Sequence, residues 1–144
     1  MAASSETTSR DFAGEGLYRE FILDHYQHPQ NHGTLSHASV SHREKNISCG
    51  DDVSFQLKID KTGKIMEAKF TGSLCVISTA SASLLSEEIK GKTLQQISKM
   101  SRNEVLSLLG LELGPTRLKC AMLPLDTIQN AVHIYQNYPR SHHA

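Results

Sequence analysis

The sequence lacks the features that mark membrane-spanning and nucleic-acid-binding proteins. No apolar run approaches the roughly 20 residues that a bilayer-spanning helix needs. The 15 basic and 15 acidic side chains cancel, so the net charge favours neither nucleic acid nor an anionic membrane as a partner. With 144 residues and 38% hydrophobic content, the chain can bury one ordinary core. We therefore expect a single soluble domain.

The N-terminal segment lacks the apolar core of a signal peptide. Residues 1–14 are rich in Ser, Thr, Ala and Gly, and we predict that they form a flexible tail. The domain is then expected to span residues 15–144. The predicted location is cytoplasmic.

Cysteine is scarce, and none of it occurs in the CxxC pairs of zinc ribbons. The three cysteines are Cys49, Cys75 and Cys120. An odd number in a chain that is not expected to be secreted argues against a disulfide framework. Their wide spacing means that the fold would have to assemble any shared site. By spacing alone, three buried inert thiols are an equally good interpretation.

One short segment, Cys49-Gly50-Asp51, has the composition of half a metal site. Glycine tolerates the backbone angles of a tight turn and adds no side chain, so the thiol and the carboxylate can point at a common centre. A plain turn explains the three residues about as well. The other half of a site would have to come from elsewhere in the chain.

A β-hairpin is predicted directly after this segment. Apolar and polar residues alternate from Asp52 onwards, and a second strand follows the Lys61-Thr62-Gly63 turn with Met66, Ala68 and Phe70 on one face. Antiparallel pairing brings the start of the first strand to the end of the second. The hairpin therefore predicts that Cys75 approaches Cys49 and Asp51.

Two predicted helices concern the thiols directly. A helix of small and apolar residues follows Cys75 and ends near Gly91, which puts Cys75 at a helix N-terminus, where a thiolate is favoured. Its serines, Ser78, Ser81 and Ser83, are interpreted as small packing residues. The last helix contains Pro124, and because proline is tolerated in the first turn, we expect this helix to start no earlier than about Cys120.

The remaining elements are less informative about function. A helix is predicted from Leu17 to His28, and two short capped helices are predicted over Thr93–Ile97 and Ser101–Leu109. The histidines of the polar loops are interpreted as solvated surface; they are His28, His32, His37 and His42. Two thiols at helix starts and one beside an aspartate favour a joint metal or sulfur site over three inert thiols.

Four ordered segments, which hold all three cysteines, resemble the U-type iron–sulfur cluster assembly proteins (IscU, SufU and the N-terminal domain of NifU). The segments are Leu17–Gly33, Asn46–Asp51, Gly72–Ser83 and Arg117–Ala121. The resemblance implies an α+β fold, a three-stranded antiparallel sheet packed with helices (SufE/NifU-like). It also implies a first strand around Ala38 to Ser48, which the residue pattern alone does not reveal.

The resemblance further implies the roles of the site residues. Cys49, Asp51, Cys75 and Cys120 correspond to the family's ligands for zinc or for a transient, nascent [2Fe–2S] cluster. Sulfur would arrive as a persulfide from a cysteine desulfurase, with Cys49 as the acceptor candidate and Cys120 as the alternative, and the cluster would pass to acceptor apo-proteins. Arg117 and Lys119 are auxiliary candidates beside the third cysteine.

Within the family, the motifs are closer to SufU. Lys119 stands where IscU proteins carry a histidine, and Leu113–Arg117 replaces the IscU chaperone-binding segment. The insertion that SufU proteins carry between the second and third cysteines is absent. The first functional hypothesis is an assembly scaffold, a binding protein more than an enzyme. The alternatives are a zinc-dependent sulfurtransferase that activates a cysteine desulfurase, and a domain in which zinc is only structural.

Overall fold

The computed structural model describes residues 19–47 and 50–137. Cys49, the predicted tail at 1–14 and the first residues of the predicted N-terminal helix lie outside these ranges. Helix α1 covers 19–27. The strands and the other helices are, in chain order, β1 Val40–Asn46, β2 Asp51–Ile59, β3 Ile65–Ser73, α2 Val76–Glu88, α3 Leu94–Ser98, α4 Arg102–Leu109 and α5 Pro115–Asn137.

The three strands form an antiparallel sheet in the order β1-β2-β3, which confirms the predicted architecture. Strand β1 lies within the range that the resemblance implied, and it pairs along its length with β2. The alternation predicted for β2 is also confirmed, because Val53, Phe55 and Leu57 are fully buried while the residues between them are partly exposed. The buried face of the sheet forms one side of the core.

The predicted orientation of Met66 is wrong. Ile59 pairs with Ile65 while Lys58 pairs with Glu67, so Met66 is an extra residue at a bulge in β3. Ile65 therefore faces the core, and Met66 is 53% exposed. Alternation resumes after the bulge, with Ala68 and Phe70 buried as predicted.

Helices α2 and α5 cover the sheet. Helix α5 packs on β1 and β2, and α2 packs on β3, α4 and α5. Because α2 has neighbours on several sides, nine of its thirteen residues are buried, and most of these nine are small. Small residues let helix axes approach closely, so the composition of α2 is explained by its packing. None of the helices in residues 19–47 and 50–137 combines the length and the hydropathy of a membrane-spanning segment.

The segment after α1 is fastened to both β3 and α2. The Phe70 N–H donates to the Asn31 carbonyl at 3.1 Å, and the Gln30 N–H donates to Ser83 Oγ at 2.8 Å. The His25 ring Nδ1 lies 2.7 Å from the same hydroxyl. The interpretation of Ser83 as a packing residue alone is therefore wrong, since its hydroxyl joins α1 and the following loop to α2.

The two short helices begin at the predicted caps. The Thr93 and Ser101 side chains each accept a backbone N–H of the first turn, and both form reciprocal capping boxes. The two caps confirm the predicted starts of α3 and α4.

The predicted start of the last helix is wrong. Helix α5 begins at Pro115 and contains Pro124 in its interior, so Cys120 lies within the helix and not at its N-terminus. Proline at the first helical position loses no intrahelical bond, which allows the early start. Pro124 removes the N–H that would bond the Cys120 carbonyl, and the Ser78 hydroxyl donates to that carbonyl instead, at 3.0 Å.

The turn between β2 and β3 leads to a prediction about acid stability. Asp60 Oδ1 accepts the backbone N–H groups of Thr62 and Lys64 and the Thr62 hydroxyl. The hydrogen bond from the Lys64 N–H, followed by that from the Thr62 hydroxyl, lowers the pKa of Asp60 below its usual 3.8. The unfolded chain therefore binds the proton first, and the stabilisation is lost as the pH falls from about 4 through the lower folded value.

We expect the Asp60→Asn variant to lose less stability than the wild type between pH 5 and pH 2. Urea unfolding at several pH values measures the difference. Glu67→Gln, at an exposed position on β3, is the control, and it should follow the wild type. Parallel curves for Asp60→Asn and the wild type would contradict the prediction.

Candidate metal centre

Asp51 begins β2, directly after Gly50. It pairs with Asn46 across the β1–β2 hairpin, and the Gly50 N–H donates to the Asn46 carbonyl at 2.8 Å. Gly50 has a φ of 74°, which only glycine adopts at little cost. Asp51 is 4% exposed. A buried carboxylate at this position needs hydrogen-bond donors or a cation.

Cys75 is the N-cap residue of α2, as the sequence predicts. Asp52 pairs with Ser73, so the end of β3 lies beside the start of β2. The Cys75 N–H donates to Asp51 Oδ1 at 3.1 Å. The predicted approach of Cys75 to Asp51 is therefore confirmed, and the thiol of Cys75 is solvent-accessible.

Cys120 approaches from α5 and is buried. One Asp51 carboxylate oxygen and the sulfur atoms of Cys75 and Cys120 all lie within 4.8 Å of one another. Within residues 19–47 and 50–137, this is the only group of three such side chains. Zinc forms bonds of about 2.3 Å to thiolate sulfur and about 2.0–2.2 Å to carboxylate oxygen, so small inward movements would let one ion reach all three atoms.

The predicted fourth ligand, Cys49, lies outside the described residues. It precedes Asp51 by two positions in the sequence. Its part in the site stays a prediction.

Ser78 is the residue of the site that sequence reasoning missed. It is fully buried, and its hydroxyl donates to Asp51 Oδ2. The Ser78 Oγ atom also lies 3.2 Å from Cys75 Sγ. The Ser78 N–H caps the helix by donating to Cys75 Sγ at 3.4 Å. With its bond to the Cys120 carbonyl, Ser78 contacts all three candidate ligands that the structure describes.

A signal for Ser78 was present in the sequence. Pro124 stands four residues after Cys120, so a helix through both residues cannot supply the usual N–H to the Cys120 carbonyl. Ser78 stands three residues after the capping thiol, the position whose N–H an N-cap side chain accepts. Ser81 makes a parallel bond from α2, since its hydroxyl donates to the Ala121 carbonyl at 2.7 Å. The packing interpretation of Ser78 and Ser81 is therefore incomplete.

The two auxiliary candidates lie on different sides of Cys120. Arg117 lines a cavity of about 410 Å³ beside the start of α2, together with Arg19 and the 111–114 loop. Lys119 lines a second groove with Ile47 and Asp126. Both side chains are exposed. Their roles stay predictions.

The neighbouring aspartate is engaged away from the centre. Asp52 forms an ion pair with Arg43 across β1 and β2. The hydrogen bond from Arg43 lowers the pKa of Asp52. Asp51 and Asp52 thus have different surroundings, because one carboxylate faces the thiols and the other is paired with a guanidinium on the opposite face of the sheet.

Comparison with known proteins identifies relatives over most of the chain. Residues 17–142 match the model of the NifU-like N-terminal domain. The iron–sulfur cluster assembly scaffold protein IscU of Thermotoga maritima is 37% identical, covering 81% of this chain and 92% of its own. The zinc-dependent sulfurtransferase SufU of Bacillus subtilis is 35% identical, covering 81% and 89%.

A crystal structure shows the same architecture. The SufU protein from Fervidobacterium islandicum superposes with a TM-score of 0.70 at 32% identity, covering 78% of this chain and 94% of its own. The family match, the two relatives and this structure agree with the resemblance seen in the cysteine-containing segments. The chain belongs to the NifU-like N-terminal domain family.

Proposed function

We propose that this protein is a scaffold for iron–sulfur cluster assembly. It accepts persulfide sulfur from a cysteine desulfurase, which an external reductant such as excess thiol reduces to sulfide. It combines the sulfide with iron at Cys49, Asp51, Cys75 and Cys120 and transfers the nascent [2Fe–2S] cluster to acceptor apo-proteins. The observation that carries the proposal is the convergence of Asp51, Cys75 and Cys120 from three separate elements on one centre.

The predicted ligand set, three thiolates and one carboxylate, is suited to a cluster that is bound transiently. Soft thiolates suit iron, zinc and sulfide, whereas one harder carboxylate oxygen forms a weaker bond to the same ion. Asp51 is thereby the ligand that an acceptor can displace first. Because a scaffold must release its product, a mixed donor set supports this function better than the closed Cys and His sets of structural zinc sites.

The exposure of the thiols bears on sulfur acceptance. Cys120 is 4% exposed, so an incoming persulfide from another protein cannot reach it without movement of α5. This burial counts against Cys120 as the acceptor, and the assignment of Cys49 stays a prediction. The thiolate attacks the terminal sulfur of the donor persulfide, a new S–S bond forms on the acceptor, and the desulfurase thiolate leaves.

The alternative function is that of a zinc-dependent sulfurtransferase. It is supported by the similarity to the SufU protein of Bacillus subtilis and by Lys119, which replaces the histidine of IscU proteins. In this case zinc would be resident, held by Asp51, Cys75 and Cys120 with Cys49 exchangeable. Zinc would keep the thiols deprotonated.

The partners and the compartment are part of the same proposal. A cysteine desulfurase is required as the sulfur source under both functions. One similar protein, from Debaryomyces hansenii, carries "mitochondrial" in its name. The cytoplasmic location of this chain stays a prediction.

Anaerobic reconstitution distinguishes the two functions. The purified full chain is incubated with ferrous iron, cysteine and a cysteine desulfurase, and bound zinc is counted before and after. We expect a visible [2Fe–2S] chromophore that is lost in Cys49→Ser, Cys75→Ser and Cys120→Ser and that transfers to an apo-ferredoxin.

Two results would contradict the scaffold. If zinc stays bound and no chromophore forms while desulfurase turnover rises, the protein is a sulfurtransferase. If neither a chromophore nor faster turnover is seen and zinc removal unfolds the chain, the metal is structural.

A further inference from the structure

A proline in α5 and a serine in α2 meet at the candidate metal centre. Pro124 has no N–H for the carbonyl of Cys120, the residue four positions earlier. Ser78 Oγ donates to that carbonyl at 3.0 Å. The bond joins two helices, so it fixes the position of the Cys120 backbone relative to the first turn of α2.

The same hydroxyl also contacts the other two candidate ligands. It donates to Asp51 Oδ2 and lies 3.2 Å from Cys75 Sγ. A serine hydroxyl has one proton and two acceptor lone pairs, so the proton is shared between the Asp51 carboxylate and the Cys120 carbonyl. The Ser78 Oγ atom therefore links the Asp51 carboxylate on β2 to the Cys120 carbonyl on α5.

The Asp51 carboxylate is oriented by two donors from the first turn of α2. Cys75 N–H bonds Oδ1 and the Ser78 hydroxyl bonds Oδ2. Two bonds to different oxygens fix the rotation of the carboxylate about its Cβ–Cγ bond. The carboxylate is then held in one orientation, which is the condition for a preorganised ligand.

We propose that Ser78 is the positioning residue of the metal centre. Its hydroxyl fixes Asp51 and Cys75 relative to Cys120 and so sets the affinity of the site for a thiophilic divalent cation. The proposal rests on the proposed function only in that the three side chains bind metal.

Ser81 provides a matched control. It lies one turn after Ser78 on α2, it is fully buried, and its hydroxyl donates to the next carbonyl of α5, that of Ala121. It therefore contributes the same kind of bond between the same two helices. The hydrogen bonds described for Ser81 do not include any of the candidate ligands.

The test is a cobalt titration of the metal-free full chain under anaerobic conditions, with wild type, Ser78→Ala and Ser81→Ala. Thiolate-to-cobalt charge-transfer bands report binding, and the d–d bands report coordination geometry. We expect Ser78→Ala to weaken cobalt binding about 10–100-fold, the range for loss of a group that orients a ligand, and to change the d–d bands. Ser81→Ala should keep the wild-type affinity and spectrum.

A second variant separates positioning from stability. In Ser78→Ala/Pro124→Ala, the new N–H of residue 124 can bond the Cys120 carbonyl, but nothing replaces the bond to Asp51. We expect the double variant to regain the melting temperature that Ser78→Ala loses and to keep its weakened cobalt binding. Recovery of both properties together would overturn the positioning role.

The remaining outcomes are also decisive. Wild-type affinity in Ser78→Ala, or equal losses in Ser78→Ala and Ser81→Ala, would show that Ser78 only packs the two helices. Cobalt binding needs no desulfurase and no cluster. A wild-type chain that binds cobalt but assembles no cluster would therefore contradict the scaffold alone, whereas absence of thiolate–cobalt bands in the wild type would overturn both proposals.

Discussion

Replacing Asp51 with alanine is expected to weaken zinc binding by more than the roughly 100-fold that loss of an orienting group costs. Asp51 is 4% exposed, and one of its carboxylate oxygens lies in one cluster with the sulfur atoms of Cys75 and Cys120. Alanine removes a charged ligand and leaves two thiols among the described residues. A competition titration against a chromophoric chelator measures the dissociation constant.

The matched control for this variant is Asp52→Ala. Asp52 is the next residue on β2, but its carboxylate pairs with Arg43 and not with the thiols. Zinc affinity should therefore be retained in Asp52→Ala. If both variants lost affinity equally, the effect would come from the net charge of the strand end, and Asp51 would not be a ligand.

The same Asp51→Ala variant should behave differently towards a cluster. We expect a reconstituted cluster to persist longer than in the wild type, because the weaker oxygen bond, which an acceptor displaces first, is no longer present. The decay of visible absorbance after addition of an apo-ferredoxin gives the transfer rate. Faster decay than in the wild type would contradict the proposed release step.

Much of the site could be predicted because Asp51 and Cys75 stand at the two ends of one β-hairpin, formed by β2 and β3. Alternation in β2 and the turn that follows it determine that the start of β2 and the end of β3 lie together. Cys75 follows β3 directly, so its approach to Asp51 needs only local rules. Cys120 required the fold as a whole, since α5 reaches the centre through contacts with α2 that no local pattern reports.

Strand β1 could not be predicted from its own residues. Of its seven residues, only Val40 is buried, and the inward-facing positions further along hold His42, Glu44 and Asn46, which are partly exposed. With one apolar residue, the strand has no alternation of hydrophobic and polar positions to detect. Its existence followed from the family resemblance alone.

Two errors arise where the backbone departs from a regular pattern. Met66 is an extra residue in β3, and a period-two pattern has no means of showing where a bulge lies. Pro124 was expected to limit α5, but the helix continues through it because the Ser78 and Ser81 hydroxyls donate to carbonyls of the affected turn. The compensating residue is distant in sequence and belongs to the site itself.

Gly72→Ala is expected to destabilise the fold strongly. Gly72 has a φ of 152°, and a Cβ atom there would lie 2.0 Å from the Asp52 carbonyl oxygen and 2.9 Å from the Val53 Cα atom. Both neighbours are backbone atoms of β2, so no side chain can rotate away. We expect a loss of at least about 3 kcal/mol, which is a large fraction of a typical domain's stability. Urea unfolding measures it.

Gly63→Ala separates strain from collision. Gly63 also has a positive φ, of 87°, but a Cβ atom there would meet nothing within 4 Å. Its substitution should cost about 1–2 kcal/mol from backbone conformation alone.

The collision at Gly72 is also expected to push β3 away from Asp52. Asp52 pairs with Ser73, and Ser73 stands two residues before Cys75. The folded fraction of Gly72→Ala should therefore bind cobalt more weakly than Gly63→Ala does. Equal stability and equal cobalt affinity in the two variants would mean that the approach of β3 to β2 does not hold Cys75 beside Asp51.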